Sequence, residues 1–237
     1  MPAQDARYIQ LLATQIAIFM LHPLVGYTSW GNLVIISLIF WAIMVITRTI
    51  LPRRTFRAYL VLALFGYAVQ ILGSLKELTG VQWLPLELTV TLRLLGQIIF
   101  VGFLIVPIRS IIQRLFQERR VTVNTLRGSV CVYLLIGTLW SIVYGIIYAV
   151  NPDAFAFAHP ATGEELYYFS FVTLTTVGYG DIVPVAPLAR AMTNVEAIIG
   201  QMYIAIILAR VVALYRSPEE VPPVVQKHPS QGTIDQI

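Results

Sequence analysis

Apolar residues come in long unbroken runs along this chain, and the polar and charged residues gather in the gaps between them. A bilayer core of about 30 Å takes roughly 20 apolar residues in a helix. Five runs approach that length: about Tyr8 to Val25, Thr28 to Thr47, Tyr59 to Leu75, Leu86 to Val106, and Gly128 to Val150. A sixth, about Met192 to Leu214, follows a stretch rich in Gly, Pro and aromatic residues that is too irregular to span. The pattern predicts an all-α membrane protein with six transmembrane helices. Asp5 and Arg7 mix the charge ahead of the first run, and no small-x-small cleavage site precedes the second. The first run therefore reads as a span and not as a signal peptide.

Composition agrees. Of the 237 residues, 57% are hydrophobic and 12% charged, where a soluble domain carries roughly 25% charged residues; mean hydropathy is +0.76. The net charge of +4 and pI of 9.3 would suit nucleic acid, but the basic residues lie between the apolar runs. With the N-terminus inside, all of the 16 Lys and Arg except Lys76, Arg93 and Arg190 fall on the cytoplasmic side or its boundary. Glu77, Glu87, Asp153, Glu164, Glu165 and Asp181 fall outside. The positive-inside rule then gives a multi-pass protein of the cell membrane, plasma or bacterial inner, with both termini cytoplasmic. Its partner is the lipid bilayer, and no nucleic acid is implied. Cys131, alone in an apolar run, excludes disulfide frameworks and Cys-based zinc sites.

Residues 109–127 set Ile111, Ile112, Leu115 and Phe116 at helical spacing against Arg114, Arg119 and Arg120, which predicts an amphipathic cytoplasmic linker helix. Residues 216–237 contain four prolines and no apolar periodicity. They are expected to form a disordered cytoplasmic tail, with no room left for a cytosolic sensor domain.

Chemistry concentrates in residues 164–184, EELYYFSFVTLTTVGYGDIVP. Glu164 and Glu165 suit a helix N-terminus, and the apolar and aromatic residues that follow predict a short helix entering the membrane from outside. Thr176, Val177, Gly178, Tyr179 and Gly180 would return extended to the surface at Asp181. Irregular backbone at that depth is tolerated only where it lines a cavity or is buried in protein. A dehydrated cation needs several oxygen ligands, and backbone carbonyls supply them without full charges. Consecutive carbonyls can face one axis only if the backbone alternates between hands of φ,ψ space, which Gly178 and Gly180 permit. Thr176 adds a hydroxyl as the innermost ligand. One copy encloses nothing, so this reading requires four copies around an axis.

Residues 175–181, TTVGYGD, resemble the signature of potassium channels. The resemblance covers residues 128–214 specifically, while residues 1–127 share with six-span channels only their span count. It implies a homotetramer of this chain with three further copies, K⁺ as permeant ion at Thr176, Val177, Gly178 and Tyr179, a re-entrant pore helix, no cofactor and no enzymatic activity. It makes residues 176–180 the filter, braced by Thr175 and Asp181. In relatives an aromatic residue of the pore helix bonds the acid after the filter, which nominates Tyr168 as partner of Asp181. Val172 stands where some relatives carry an acid implicated in filter inactivation, so weak inactivation by that route is expected. Gly200 resembles the glycine at which inner helices bend, although close helix packing would equally explain a mid-helix glycine. The domain order expected is a four-helix voltage-sensor-like unit over 1–108, the linker 109–127, the pore domain 128–215 and the tail 216–237.

Further residues follow from position. Glu196 is the only acid within a span, and such a carboxyl is expensive enough to suggest function; a proton-sensitive brace bonded to Ser170 or Thr173 is one reading and a neutral structural carboxyl the other. Ile204, Leu208 and Val212 descend one face of the last helix, which offers Leu208 and Val212 as a gate that closes by dewetting.

The six-span potassium channels that this chain resembles usually carry Arg or Lys at every third position of the fourth span, and the series from Arg93 here reads Arg93, Gly96, Ile99, Gly102, Ile105. The expectation is a passive potassium channel that is not strongly voltage-gated. The alternatives are a voltage-dependent channel with reduced gating charge, or a silent or auxiliary subunit of another channel. A K⁺-uptake transporter would repeat a degenerate filter four times in one chain. A membrane hydrolase would need a nucleophile and base in the spans, whereas His22, His159 and His228 lie at boundaries or outside.

Overall fold

The computed structural model describes residues 2–25, 29–79, 85–117, 122–159 and 165–215. Six long helices and one short helix make up most of it: α1 (Pro2–Val25), α2 (Ser29–Ile50), α3 (Arg53–Thr79), α4 (Leu86–Gln117), α5 (Val123–Val150), α6 (Leu166–Leu174) and α7 (Pro187–Tyr215). A 3₁₀ turn, Pro152–Ala154, leads from α5 into strand β1 (Phe155–Phe157), which pairs antiparallel with β2 (Ile182–Pro184), Phe155 opposite Pro184 and Phe157 opposite Ile182. This strand pair is absent from the all-α expectation. It ties the chain just past the predicted filter to the segment just after α5, with Ala158 N donating to Asp181 O at 2.9 Å and Val185 N to Ala154 O at 2.8 Å.

Four stretches among the described residues are long and apolar enough to cross a membrane: Arg53–Leu72, Glu87–Gln117, Val123–Val150 and Pro187–Ala213. The apolar stretches of α1 and α2, Tyr8–His22 and Leu33–Val45, are shorter. The helices pack in sequence, α1 on α2, α2 on α3, α3 on α4 and α4 on α5, and α1 also lies against α5. A file of stacked rings fills the first half, with Phe40, Tyr59 and Phe100 each within 5.5 Å, centroid to centroid, of the buried Phe103. Glycines bring α3 and α4 unusually close. A Cβ at Gly66 would overlap the Ile99 side chain, and one at Gly96 would stand 3.3 Å from Gln70 Cα. Small residues at a membrane helix contact let backbones approach in this way.

The linker expectation needs correction. Helix α4 does not stop near Val106 but runs through Pro107 to Gln117. Proline removes one hydrogen bond from a helix and leaves the carbonyl four residues back unpaired. That carbonyl, Phe103 O, here accepts from Tyr59 Oη at 2.9 Å, which compensates the loss. Residues 109–117 are thus the last turns of α4. A new helix begins after Thr122, whose extended backbone and Oγ1, accepting from Thr125 N at 3.2 Å, form an N-cap that a single 109–127 helix could not contain. Arg119 and Arg120 lie outside the described residues, as do Glu164 and the tail 216–237.

Candidate functional site

Helix α6 carries the residues ahead of the filter motif, and its length is set by what closes its end. Tyr133 Oη of α5 donates to Leu174 O at 3.1 Å, taking up one of the carbonyls that a helix C-terminus leaves unpaired. The chain then turns so that Val177 N and Gly178 N both approach Val172 O, at 3.0 and 3.4 Å. Thr175 Oγ1 donates to Phe171 O at 2.6 Å.

From there the backbone alternates. Positive φ occurs at Thr176 (57°), Gly178 (58°) and Gly180 (80°), and at no other described non-glycine residue. The two glycines take that region freely, but a β-branched residue there is an outlier that its surroundings must hold. Gln201 of α7 supplies a hold, with Nε2 donating to Thr176 Oγ1 at 2.9 Å. The sequence reading overlooked Gln201, although a polar residue within an apolar run next to Gly200 was the available signal.

Residues 175–181 are exposed along their own chain, Val177 at 54% and Tyr179 at 71%. Tyr168 is half-exposed and stacks parallel to Tyr179 at 6.3 Å. Asp181 lies close enough to act on its hydroxyl, as does Tyr179, and Asp181 Oδ1 accepts from Ile182 N at 3.1 Å. The other two aromatics of the α6 triplet face elsewhere: Phe169 packs edge-on against Tyr144 and Phe155, and Tyr167 stacks at 4.1 Å on His22. The sequence assigned His22 to a boundary; its ring lies against Tyr167 of α6.

Behind α6 lies a buried polar cluster. Glu196 of α7 is fully buried. Its Oε1 is 2.6 Å from Ser170 Oγ, its Oε2 accepts from Tyr144 Oη, and Ser170 Oγ also contacts Gly137 O at 2.8 Å. Ser170 is one of the two hydroxyls named from the sequence. Tyr144, on α5, was not foreseen. A buried carboxyl survives only if its oxygens are paired, and here each has a hydroxyl.

Gly200 is buried where α7 crosses the end of α6, and a Cβ there would overlap Leu174 O. Helix α7 runs unbroken through it from Pro187 to Tyr215. Close packing thus accounts for the glycine in this conformation. Ile204, Leu208 and Val212 are exposed on α7. Near its lower end the Arg210 guanidinium lies 4.9 Å over the Phe116 ring at the end of α4.

Residues 130–217, which include all of these groups except those of α1 and α4, match the family model described as ion channel. Over 76 residues the chain is 28% identical to the inward rectifier potassium channel Kirbac3.1 of Paramagnetospirillum magnetotacticum, covering 32% of this chain and 26% of that protein. Over 100 residues it is 32% identical to the two-pore potassium channel 4 of Arabidopsis thaliana, covering 42% of this chain and 35% of that one. The chain thus spans about a quarter to a third of the length of these relatives. No solved structure matches it. Residues 130–217 thus resemble an ion-channel domain, in a chain whose described helices include four long and apolar enough to cross a membrane.

Proposed function

We propose that this chain assembles as a homotetramer in the cell membrane and conducts K⁺ passively through a filter formed by residues 176–180 of each copy. The observation that carries the reading is the alternation of positive φ at Thr176, Gly178 and Gly180, which is the backbone condition for successive carbonyls to face one axis. Thr176, Val177, Gly178 and Tyr179 would hold K⁺, with Thr175, Tyr168 and Asp181 as support. Val177 and Tyr179 are uncovered by their own chain, which suits residues enclosed by further copies.

In this reading the six long helices are six spans with cytoplasmic termini, Leu208 and Val212 form the gate, and Glu196 braces the back of α6. Gly200 would be a hinge only if α7 bends away from Leu174 on opening. Weak voltage dependence is supported by α4, where Gly96 and Ile99 occupy the places of sensor arginines and seal the helix against α3.

Reconstitution of the purified chain in K⁺-loaded vesicles tests the proposal. Flux with K⁺ strongly preferred over Na⁺ is expected. Well-formed tetramers that pass no K⁺ would refute it and leave the chain as a silent subunit.

A further inference from the structure

Helix α6 is gripped by a ring from the first helix of the chain. Phe19 of α1 meets the buried Phe171 edge to face, with centroids 5.0 Å apart and planes at 75°, and lies 6.5 Å from the Tyr167 ring. The Phe171 ring also lies on bare backbone of α5 at Gly137, where a Cβ would stand 2.7 Å from Phe171 Cζ. The backbone of Phe171 is where the chain leaves the helix: its carbonyl accepts from Thr175 N at 3.0 Å and Thr175 Oγ1 at 2.6 Å. The next carbonyl, Val172 O, takes Val177 N and Gly178 N. A shift of Phe171 is therefore handed by hydrogen bonds to residues 175–178, among them Thr176 with its positive φ. Ion-binding groups act only when packing holds them to within about 0.5 Å. Burial alone does not explain this ring, since Phe19 is 40% exposed. About two turns earlier on α1, Leu11 is 2% exposed and lines a small gap with Leu134 and Leu135 of α5.

We propose that Phe19 is a positioning residue for ion selection, holding the Phe171 ring and, through the Phe171 and Val172 carbonyls, the turn into residues 176–180. The inference rests on the conduction reading and adds to it a residue of α1, outside the segment that matches the ion-channel family.

The test is the reversal potential of the full chain in planar bilayers with K⁺ on one side and Na⁺ on the other, read beside the thermal unfolding midpoint. If the ring pair is what disfavours a displaced α6, its loss raises the population of that arrangement, so in Phe19→Ala the permeability of Na⁺ relative to K⁺ should rise about threefold to tenfold. Phe19→Tyr keeps the ring and should stay within about twofold of the wild type. Leu11→Ala leaves a cavity in the α1 packing away from α6, and it should lower the unfolding midpoint with the wild-type ion preference intact. An unchanged preference in Phe19→Ala overturns the proposal. So does an equal loss of preference in Phe19→Tyr, or in Leu11→Ala, which would mark general loosening of the fold. A wild type that passes no K⁺ refutes the conduction reading and this inference with it, whereas a K⁺-selective wild type with an unaltered Phe19→Ala refutes this inference alone.

Discussion

Ser170 Oγ lies 2.6 Å from Glu196 Oε1 and 2.8 Å from Gly137 O, yet a serine hydroxyl has one proton to give. With the Tyr144 hydroxyl on the other carboxyl oxygen, three contacts share two hydroxyl protons. All three are satisfied when the carboxyl supplies the third.

That count predicts the behaviour of two variants. In Glu196→Gln the side-chain NH₂ can donate to Ser170 Oγ while its oxygen accepts from Tyr144, so assembly, thermal stability and K⁺ flux should stay near those of the wild type. In Glu196→Leu the buried Tyr144 hydroxyl loses its carboxyl acceptor while Ser170 keeps Gly137 O, at about 1–3 kcal/mol per subunit, and thermal unfolding of the assembled protein should fall accordingly. A glutamine variant as damaged as the leucine variant would show that the cluster needs a charged carboxylate.

Gln201 holds a residue whose φ of 57° is otherwise unfavourable. Gln201→Leu removes the donor to Thr176 Oγ1, a bond worth about 0.5–1.5 kcal/mol. The K⁺ concentration giving half-maximal flux should rise about threefold to tenfold, with little change in helix content by circular dichroism. An unchanged K⁺ dependence would mean that Thr176 is held without it.

Two glycines should respond in opposite directions to alanine. At Gly200 the added methyl meets a backbone oxygen, Leu174 O, which cannot swing aside, so Gly200→Ala should destabilise the protein by about 1–3 kcal/mol and disturb α6. At Gly102 a Cβ meets nothing within 4 Å, and the gain in helix propensity, up to about 1 kcal/mol, should stabilise α4. Unfolding midpoints of the two purified variants decide the matter. A tolerated Gly200→Ala that changes opening would favour the hinge.

Each elementary charge crossing the membrane field is worth about 2.3 kcal/mol per 100 mV, and in the sensor series of α4 only Arg93 is charged. The conductance of reconstituted channels should therefore vary shallowly with voltage, corresponding to no more than about one charge per subunit. A steep conductance–voltage curve would restore the voltage-gated alternative.

What the sequence determined by itself was local. A left-handed backbone at alternate positions needs residues that tolerate it, so TVGYG announces its own conformation at Gly178 and Gly180, and the apolar runs announce the long helices because backbone in lipid must satisfy itself. Ser170 as a partner of Glu196 was also within reach, since a buried acid demands nearby hydroxyls and α6 was already placed. The tertiary structure decided what depends on how one helix is rotated against another. Tyr144 meets Glu196 from α5, Tyr133 closes α6, Tyr59 rescues the carbonyl that Pro107 orphans, and Gln201 reaches Thr176. None of these pairs is local in the chain, and no periodicity marks them.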